Sequence, residues 1–279
     1  MIARSSPAEA IRRALLNGKR RPRMPGGSPT SRRGDGYEFV ELREYVAGDD
    51  VRRIDWAASA RTGELQTRVI LEDVALSLAA ILDDSPSMQV GRNRALVDAG
   101  RESVRTWYDA AAPDDRCVRI VGEVMHPAGP QRGAASAAAA MRASGPFDLA
   151  QSLHVARTAL RPGAALLAVS DWFDLADDAD GLLHALGRRC DCTMLVARDP
   201  WFDGLPLSGI VRLRGAEGGV LRGFIGAPER ARFAAAVRER EGALLERFAG
   251  AGWRTGLLHE GDGVASLAAA FGVGFAKTG

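Results

Sequence analysis

Buried strands and helices alternate along most of the chain from residue 72 onward, and this alternation limits the possible folds more than any other feature. Apolar runs of strand length lie at 74–82, 116–124, 164–170 and 192–197. Segments with helical periodicity separate them, at 92–111, 149–160 and 176–188. Such buried strands joined by helices are typical of a parallel sheet covered on both faces. The sequence therefore predicts an α/β protein.

Three segments are predicted. Residues 72–275 form the main domain, completed by a hairpin, a long helix, a strand and a last helix at 209–225, 228–249, 253–259 and 263–271. The alanine-rich stretch 133–143 is a further candidate helix. Residues 34–71 are predicted to be an N-terminal β extension, because polar and apolar positions alternate at 37–42 and again at 64–69. Residues 1–33 are basic and rich in Pro, Gly and Ser, which predicts a flexible arm with one short helix at 7–17.

Composition excludes several classes of protein. The net charge of +2 is near neutral, so the molecule as a whole is not expected to bind polyanions, and no nucleic-acid partner is expected. The three cysteines, Cys117, Cys190 and Cys192, are too few for a disulfide framework and favour a reducing compartment. No apolar run reaches the roughly 18 residues of a membrane span. We therefore expect a cytoplasmic protein, with membrane association only through partners.

Oxygen-bearing side chains follow two of the predicted buried strands. Asp83, Ser85 and Ser87 alternate directly after the strand at 74–82, and Asp171 follows the strand at 164–170. In an open parallel sheet, ligands bind beyond the carboxyl ends of the strands. Carboxylate and hydroxyl oxygens suit a hard cation, and Mg²⁺ keeps open positions for water or a further ligand. The pattern predicts a crevice that binds a divalent cation and captures an acidic residue of another protein.

A simpler interpretation is a polar turn that caps the next helix, because Ser and Asp are favoured there in any protein. Hydrolysis by a metal-activated water at Asp83 and Asp171 is a further alternative, but no general base is evident. The chain has no Gly-x-x-x-x-Gly-Lys-Ser/Thr loop and no Gly-x-Ser-x-Gly elbow. We therefore expect that the protein is not an enzyme.

Two motifs together carry a resemblance to a known family. Asp83-x-Ser85-x-Ser87 with Asp171 resembles the metal-ion-dependent adhesion site of von Willebrand factor A domains. GDGYEF at 34–39, LREY at 42–45, GDDVRRIDW at 48–56 and SAR at 59–61 resemble the signature of bacterial von Willebrand factor A-like proteins encoded beside MoxR-type AAA+ ATPases. The resemblance covers residues 34–275.

This resemblance implies a Rossmann-like von Willebrand factor A core with an N-terminal β extension. It also implies an adaptor or co-chaperone that works with a MoxR-type AAA+ ATPase and other von Willebrand A-type accessory proteins. Their task would be maturation of a client enzyme complex. The chain is similar in length and in its lack of membrane helices to the subgroup that serves methanol dehydrogenase maturation, which implies calcium insertion as the task.

The implied metal site departs from the family pattern at one position. The family has Gly-Gly-Thr-Asp-Leu where this chain has Gly145-Pro146-Phe147-Asp148-Leu149. Phe147 therefore replaces the expected threonine ligand and cannot bind a cation. For Mg²⁺, Ca²⁺ or Mn²⁺ to be held, Asp148 or a water molecule would have to take the place of the threonine ligand. A metal-free interaction domain on the same fold is the alternative.

The signature region concentrates charges of both signs around one tryptophan. Paired arginines and carboxylates either lock the extension onto the core, the expected role of Arg43, Asp55 and Arg61, or form a docking surface anchored by Trp56. The candidate partner-binding residues are Arg43, Asp49, Asp50, Arg52, Arg53, Asp55, Trp56 and Arg61. Nucleic-acid binding through the arginine-rich residues 1–33 is the remaining alternative.

Overall fold

The computed structural model describes residues 6–18, 24–128, 147–204, 207–215 and 218–273. The strands are β1 Met24–Glu44, β2 Gln66–Ala75, β3 Ser77–Leu82, β4 Arg116–Val121, β5 Val124–Ala128, β6 Ala165–Ser170, β7 Asp191–Ala197, β8 Gly209–Arg214, β9 Val220–Ile225 and β10 Arg254–Leu258. The helices are α1 Pro7–Leu16, α2 Trp56–Thr62, α3 Leu96–Asp109, α4 Leu149–Ala159, α5 Asp180–Arg189, α6 Ala227–Gly250 and α7 Gly263–Ala270.

The core is a six-stranded sheet in the order β10-β7-β6-β3-β4-β5, within the described residues. All neighbouring strands are parallel except β4 and β5, which form an antiparallel edge. The chain winds outward in both directions from the central strand β3. The predicted α/β class, a Rossmann-like and mostly parallel sheet covered by helices on both faces with an N-terminal β extension, is confirmed.

Alternating side chains of the sheet supply two hydrophobic layers. In β3, Leu78, Ala80 and Leu82 face one layer, whereas Ala79 and Ile81 face the other. Helices α1, α3 and α7 cover the first layer, and α4, α5 and α6 cover the second. Because both faces are buried, these strands are apolar at almost every position, which is why they were recognisable in the sequence.

The first helix differs from the flexible arm predicted for residues 1–33. Ser6 caps α1 in a capping box with Glu9, and Ile11 and Leu15 are buried against the core at 0% and 2% exposure. Arg12 of the same helix pairs with the buried carboxylate of Asp115. Residues 7–16 are therefore a packed part of the domain, and β1 begins before residue 34.

Asp115 also fixes the junction between the extension and the core. Only Leu76 separates β2 from β3, and its backbone N–H donates to Asp115 Oδ1 at 2.7 Å. The Leu76 carbonyl accepts from the Arg116 N–H at 2.9 Å. Both polar backbone groups of this buried residue are thus hydrogen-bonded to the start of β4.

The extension is an antiparallel pair of β1 and β2, with Glu44 opposite Gln66 at its far end. The prediction of a β extension missed α2, which lies between the two strands. Asp55 accepts a hydrogen bond from the Ala58 N–H and starts this helix, and Gly63 ends it at a φ of 80°. Such a short helix has too few turns for a clear periodicity.

The C-terminal elements agree with the predicted hairpin, long helix, strand and last helix. Strand β5 was not predicted separately: Gly122, at a φ of 58°, allows the tight turn that joins it to β4. The candidate helix 133–143 lies outside the described residues. Within the described ranges, no helix is long and apolar enough to cross a bilayer.

Candidate functional site

The carboxyl ends of β3 and β6 bring the two predicted aspartate loops together. These strands are parallel neighbours, with Leu82 opposite Val169. The Asp83 N–H donates to the Val169 carbonyl at 2.9 Å, which extends the pairing to the edge of the sheet. Asp83 and Asp171 therefore leave adjacent strands at the same edge, as the sequence predicted.

Asp83 is buried, and its carboxylate accepts two hydrogen bonds. The Ser85 N–H donates to Oδ1 at 2.8 Å, and the Ser170 hydroxyl donates to Oδ2 at 2.7 Å. Burial is the main cause that raises the pKa of Asp83, and the charge of Asp171 adds to the rise, whereas the hydrogen bonds from Ser170 and Ser85 oppose it. The ionised carboxylate is therefore energetically unfavourable where it stands.

The two serines form the other half of the cluster. Ser85 Oγ and Ser87 Oγ lie 2.9 Å apart and share one hydrogen bond. Ser85 precedes a short 3₁₀ helix, Pro86–Gln89, but its side chain makes no capping hydrogen bond. The next α-helix begins at Leu96 and is preceded by Ala95, so the aspartate-serine turn does not cap it. The structure therefore does not support the interpretation of this turn as a helix cap.

Asp171 leads into a strained and firmly held loop. Its Oδ1 accepts from the Phe173 N–H at 3.0 Å, and its carbonyl accepts from the Arg240 guanidinium at 3.0 Å. Trp172 is 1% exposed and has a φ of 61°, a left-handed conformation that is uncommon outside glycine. Its indole N–H donates to the Leu195 carbonyl at 3.0 Å, and its backbone N–H donates to Ser170 Oγ at 3.0 Å. Packing and hydrogen bonding hold this conformation in place.

The third predicted loop contributes differently. Asp148 is exposed and uses its carboxylate as the N-cap of α4, accepting from the Gln151 N–H at 2.8 Å. Phe147 packs against the hydrophobic layer on that side of the sheet. The structure therefore gives Asp148 a helix-capping role, which accounts for it without a metal.

The donor chemistry suits a hard cation only in part. Asp83, Ser85, Ser87 and Asp171 offer carboxylate and hydroxyl oxygens, and no arginine ion-pairs with either carboxylate in the described part of the chain. No group of three or more His, Cys, Asp or Glu side chains is arranged to hold a metal among the described residues. A cation would thus depend on the serine hydroxyls and on water for most of its ligands.

One buried cation beneath the crevice was missed by the sequence reasoning. Arg119 is 1% exposed and donates to the carbonyls of Ala80, Ile120 and Leu82 at 2.8–3.0 Å. Burial lowers its pKa, and the charge of Asp84 partly offsets that effect. Its position inside β4 offers no sign in the sequence beyond an arginine amid apolar residues. Arg119 brings positive charge to the strand end that leads into Asp83.

The signature residues divide into structural and exposed groups. Arg43 pairs with Asp49 at 2.6 Å, and this hydrogen bond is the largest cause that lowers the pKa of Asp49. Asp50 caps the 3₁₀ turn at Val51–Arg53. Asp55 caps α2 and pairs with Arg68 at 2.9 Å. Four of the eight predicted partner-binding residues, Arg43, Asp49, Asp50 and Asp55, therefore stabilise the extension itself.

Arg61 differs from its expected role in locking the extension. It is exposed, and it makes no hydrogen bond or ion pair with any described residue. Arg52 is likewise exposed, and Arg53 is partly exposed. Trp56 is 68% exposed at the start of α2, and Val46 and Val51 of the same segment are each 61% exposed. We call Val46, Val51, Trp56 and Arg61 the tip surface.

One family model matches most of the chain, and several known proteins are similar to it. A model described as "Protein of unknown function DUF58" matches residues 41–243. Uncharacterized proteins of Mycobacterium bovis and Mycobacterium tuberculosis are 28% identical over 205 residues, which is 68% of this chain and 64% of each relative. The matched region thus spans less than two thirds of these relatives' length.

Two solved structures are also similar to this chain. The conserved hypothetical protein BatB of Bacteroides thetaiotaomicron has 14% identity and a TM-score of 0.40, covering 63% of this chain and 98% of that protein. A von Willebrand factor type A protein of Catenulispora acidiphila has 18% identity and a TM-score of 0.39, covering 72% of this chain and 42% of that protein.

Proposed function

The chain belongs to the DUF58 family, and from that premise we propose that it is a non-enzymatic adaptor of a MoxR-type AAA+ ATPase. It would bind an acidic residue of a client protein in the crevice formed by Asp83, Ser85, Ser87 and Asp171. It would present the tip surface to the ATPase. The task would be maturation or remodelling of a client complex, with other von Willebrand A-type proteins as further partners.

The observation that carries this proposal is the buried carboxylate of Asp83 without a cationic partner. A buried charge is costly unless it is paired, and a divalent cation at the serine hydroxyls would supply that pairing. Mg²⁺, Ca²⁺ and Mn²⁺ all accept such oxygens. The cation would leave an open position toward solvent, where a partner's carboxylate adds the missing negative charge.

The residues around the crevice also favour one alternative, a crevice that works without a metal ion. Arg119 places a buried positive charge near the strand end, and Phe147 supplies no ligand. These two residues support a metal-free crevice in which the serine hydroxyls bind the partner by hydrogen bonds alone. Metal titration separates the two versions of the proposal.

The client protein, the task and the location in the cell are proposed from the motif resemblance. A client such as methanol dehydrogenase, with metal insertion as the task, and a cytoplasmic location belong to this proposal. Nucleic-acid binding by the N-terminal arm has less support, because α1 is packed against the core instead of extending into solvent.

The test has two independent arms. In the first, calorimetric titration with Mg²⁺, Ca²⁺ and Mn²⁺ compares the protein with Asp83→Ala. Binding by the unsubstituted protein alone supports the metal-dependent crevice. If neither protein binds a cation, the metal-dependent version of the proposal is ruled out.

In the second arm, the tagged protein is co-purified with the MoxR-type ATPase of its own genome. Trp56→Ala should lose the complex. Phe224→Ala is the matched control, since Phe224 is an aromatic residue with the same exposure of 68% on β9. A complex that survives Trp56→Ala, or that never forms, contradicts the adaptor role at the tip surface.

A further inference from the structure

An apolar pocket lies beside the crevice, at the carboxyl ends of β6 and β7. Its volume is about 210 Å³. Val196 and Ala197 of β7 form a buried floor, and Phe173, Phe202 and Phe233 form the walls. Phe202 and Phe233 meet edge to face, with ring centroids 5.9 Å apart. Nothing assigned to the crevice uses this pocket.

The size of the pocket limits what it can hold. Sites for small molecules and cofactors usually enclose about 300–1,000 Å³. A smaller, open, largely apolar cavity instead fits one large side chain, as in anchor pockets at protein interfaces. Leu, Met and Phe match both the volume and the apolar lining.

Two arginines line the pocket, and they differ in their pairing. Arg198 is paired with Glu241 at 3.2 Å, so its charge is already balanced. Arg240 is partly buried, lies over the Phe173 ring at 3.6 Å from its centroid, and makes no ion pair with any described residue. Burial lowers the pKa of Arg240, and the nearby charge of Asp171 opposes this effect without forming an ion pair. A carboxylate placed here would form a charge-assisted hydrogen bond in a partly dry setting.

We propose that this pocket binds a linear segment of a partner protein, inserting one large apolar side chain among the three phenylalanines and pairing an adjacent carboxylate with Arg240. The inference rests on the proposed role as a protein-binding adaptor and adds the chemistry of the segment that is recognised. Arg240 also holds the Asp171 carbonyl. Arg240 therefore links the wall of the pocket to the loop that carries Asp171.

A library of random dodecapeptides displayed on phage tests this inference with the purified full-length protein. We expect the enriched peptides to carry Leu, Met or Phe within two positions of Asp or Glu. Fluorescence anisotropy then measures the enriched peptide as synthesised, and with its acidic residue changed to the amide. The amide form should bind about tenfold more weakly.

Variants of the protein give the matched comparison. Arg240→Gln should weaken binding about tenfold, whereas Arg238→Gln, on an exposed position of the same helix, should leave it unchanged. Ala236→Trp should fill the pocket and abolish binding while the circular dichroism spectrum stays that of a folded protein. Equal binding by Arg240→Gln and the unsubstituted protein, or no enrichment of acidic-apolar peptides, overturns the inference. If the ATPase still co-purifies in that case, the proposed function stands without this pocket.

Discussion

Replacing Asp83 by asparagine should make the metal-free protein more stable, although it removes a residue at the centre of the crevice. Asparagine has the same shape, so Oδ1 can keep the hydrogen bond from the Ser85 N–H. Its NH2 group would take the place of Oδ2, so the Ser170 hydroxyl would have to accept from it instead of donating. The substitution removes a buried negative charge that has no cationic partner. We expect removal of this charge to stabilise the folded protein by about 1–3 kcal/mol, since a buried charged group is costly. Each kcal/mol corresponds to about 2–4 °C in Tm for a large domain.

The pH dependence of the protein's stability tests independently whether the charge of Asp83 is destabilising. Because burial raises the pKa of Asp83, the folded state binds more protons than the unfolded state. Stability should therefore fall as the pH rises from about 4, the usual pKa of an aspartate, through the raised value. The difference between Asp83→Asn and the unsubstituted protein should vanish at acid pH and reach its full size above the raised pKa.

Addition of the cation should reverse the order of stability. At a concentration one hundred times its Kd, a bound ligand stabilises a protein by about 2.7 kcal/mol. The unsubstituted protein should gain this amount with Mg²⁺, and Asp83→Asn should gain little. Thermal denaturation with and without Mg²⁺, across a pH series, measures both effects.

Asp191→Asn is the control for this experiment. Asp191 lies at the opposite end of the sheet and pairs with Arg254 at 2.9 Å. Its replacement should lower stability, with no response to Mg²⁺. If Asp83→Asn is less stable than the unsubstituted protein at neutral pH without metal, our reasoning on the unpaired carboxylate is refuted.

Three further outcomes are expected. Phe147→Thr should tighten Mg²⁺ binding in calorimetry by adding a hydroxyl ligand, at a cost of about 1–2 kcal/mol in stability for the lost packing; unchanged affinity would show that this loop does not reach the cation. Arg119→Met should also tighten Mg²⁺ binding by removing a nearby positive charge, while chemical denaturation shows a loss of about 1–3 kcal/mol from carbonyls without donors. Ile11→Ala should cost about 2–5 kcal/mol, because Ile11 is fully buried, whereas Ile210→Ala at 90% exposure should cost less than about 0.5 kcal/mol; equal costs would contradict the docking of α1.

The parts of the structure that depend on burial were the parts that the sequence predicted well. Strands β3 and β6 are apolar on both faces, so their ends, and with them Asp83 and Asp171, could be placed before the structure was known. Interactions that depend on a specific partner left no such pattern. The three carbonyls bound by Arg119 depend on backbone geometry, which a list of residue types does not contain.

The signature region shows the same limit. The sequence analysis assigned Asp55 and Arg61 the same locking role, and only the structure separates Asp55, which stabilises the extension, from Arg61, which faces solvent. An exposed and a paired arginine have identical chemistry, and only the folded positions show that Arg43 and Arg68 meet carboxylates whereas Arg61 does not. Partner-binding residues in such a segment are therefore identified by what the fold leaves unpaired.

The fixed junction at Leu76 has a mechanical consequence. Strand β2 is 10 residues long, so the far end of the extension stands about 33 Å from this junction. Leu76 is hydrogen-bonded to Asp115, which also pairs with Arg12 of α1, and to the backbone of Arg116 in β4. The extension should therefore move together with the core as one rigid body. A pull exerted on its far end would pass through the covalent backbone into β3, and so to the loop that begins at Asp83.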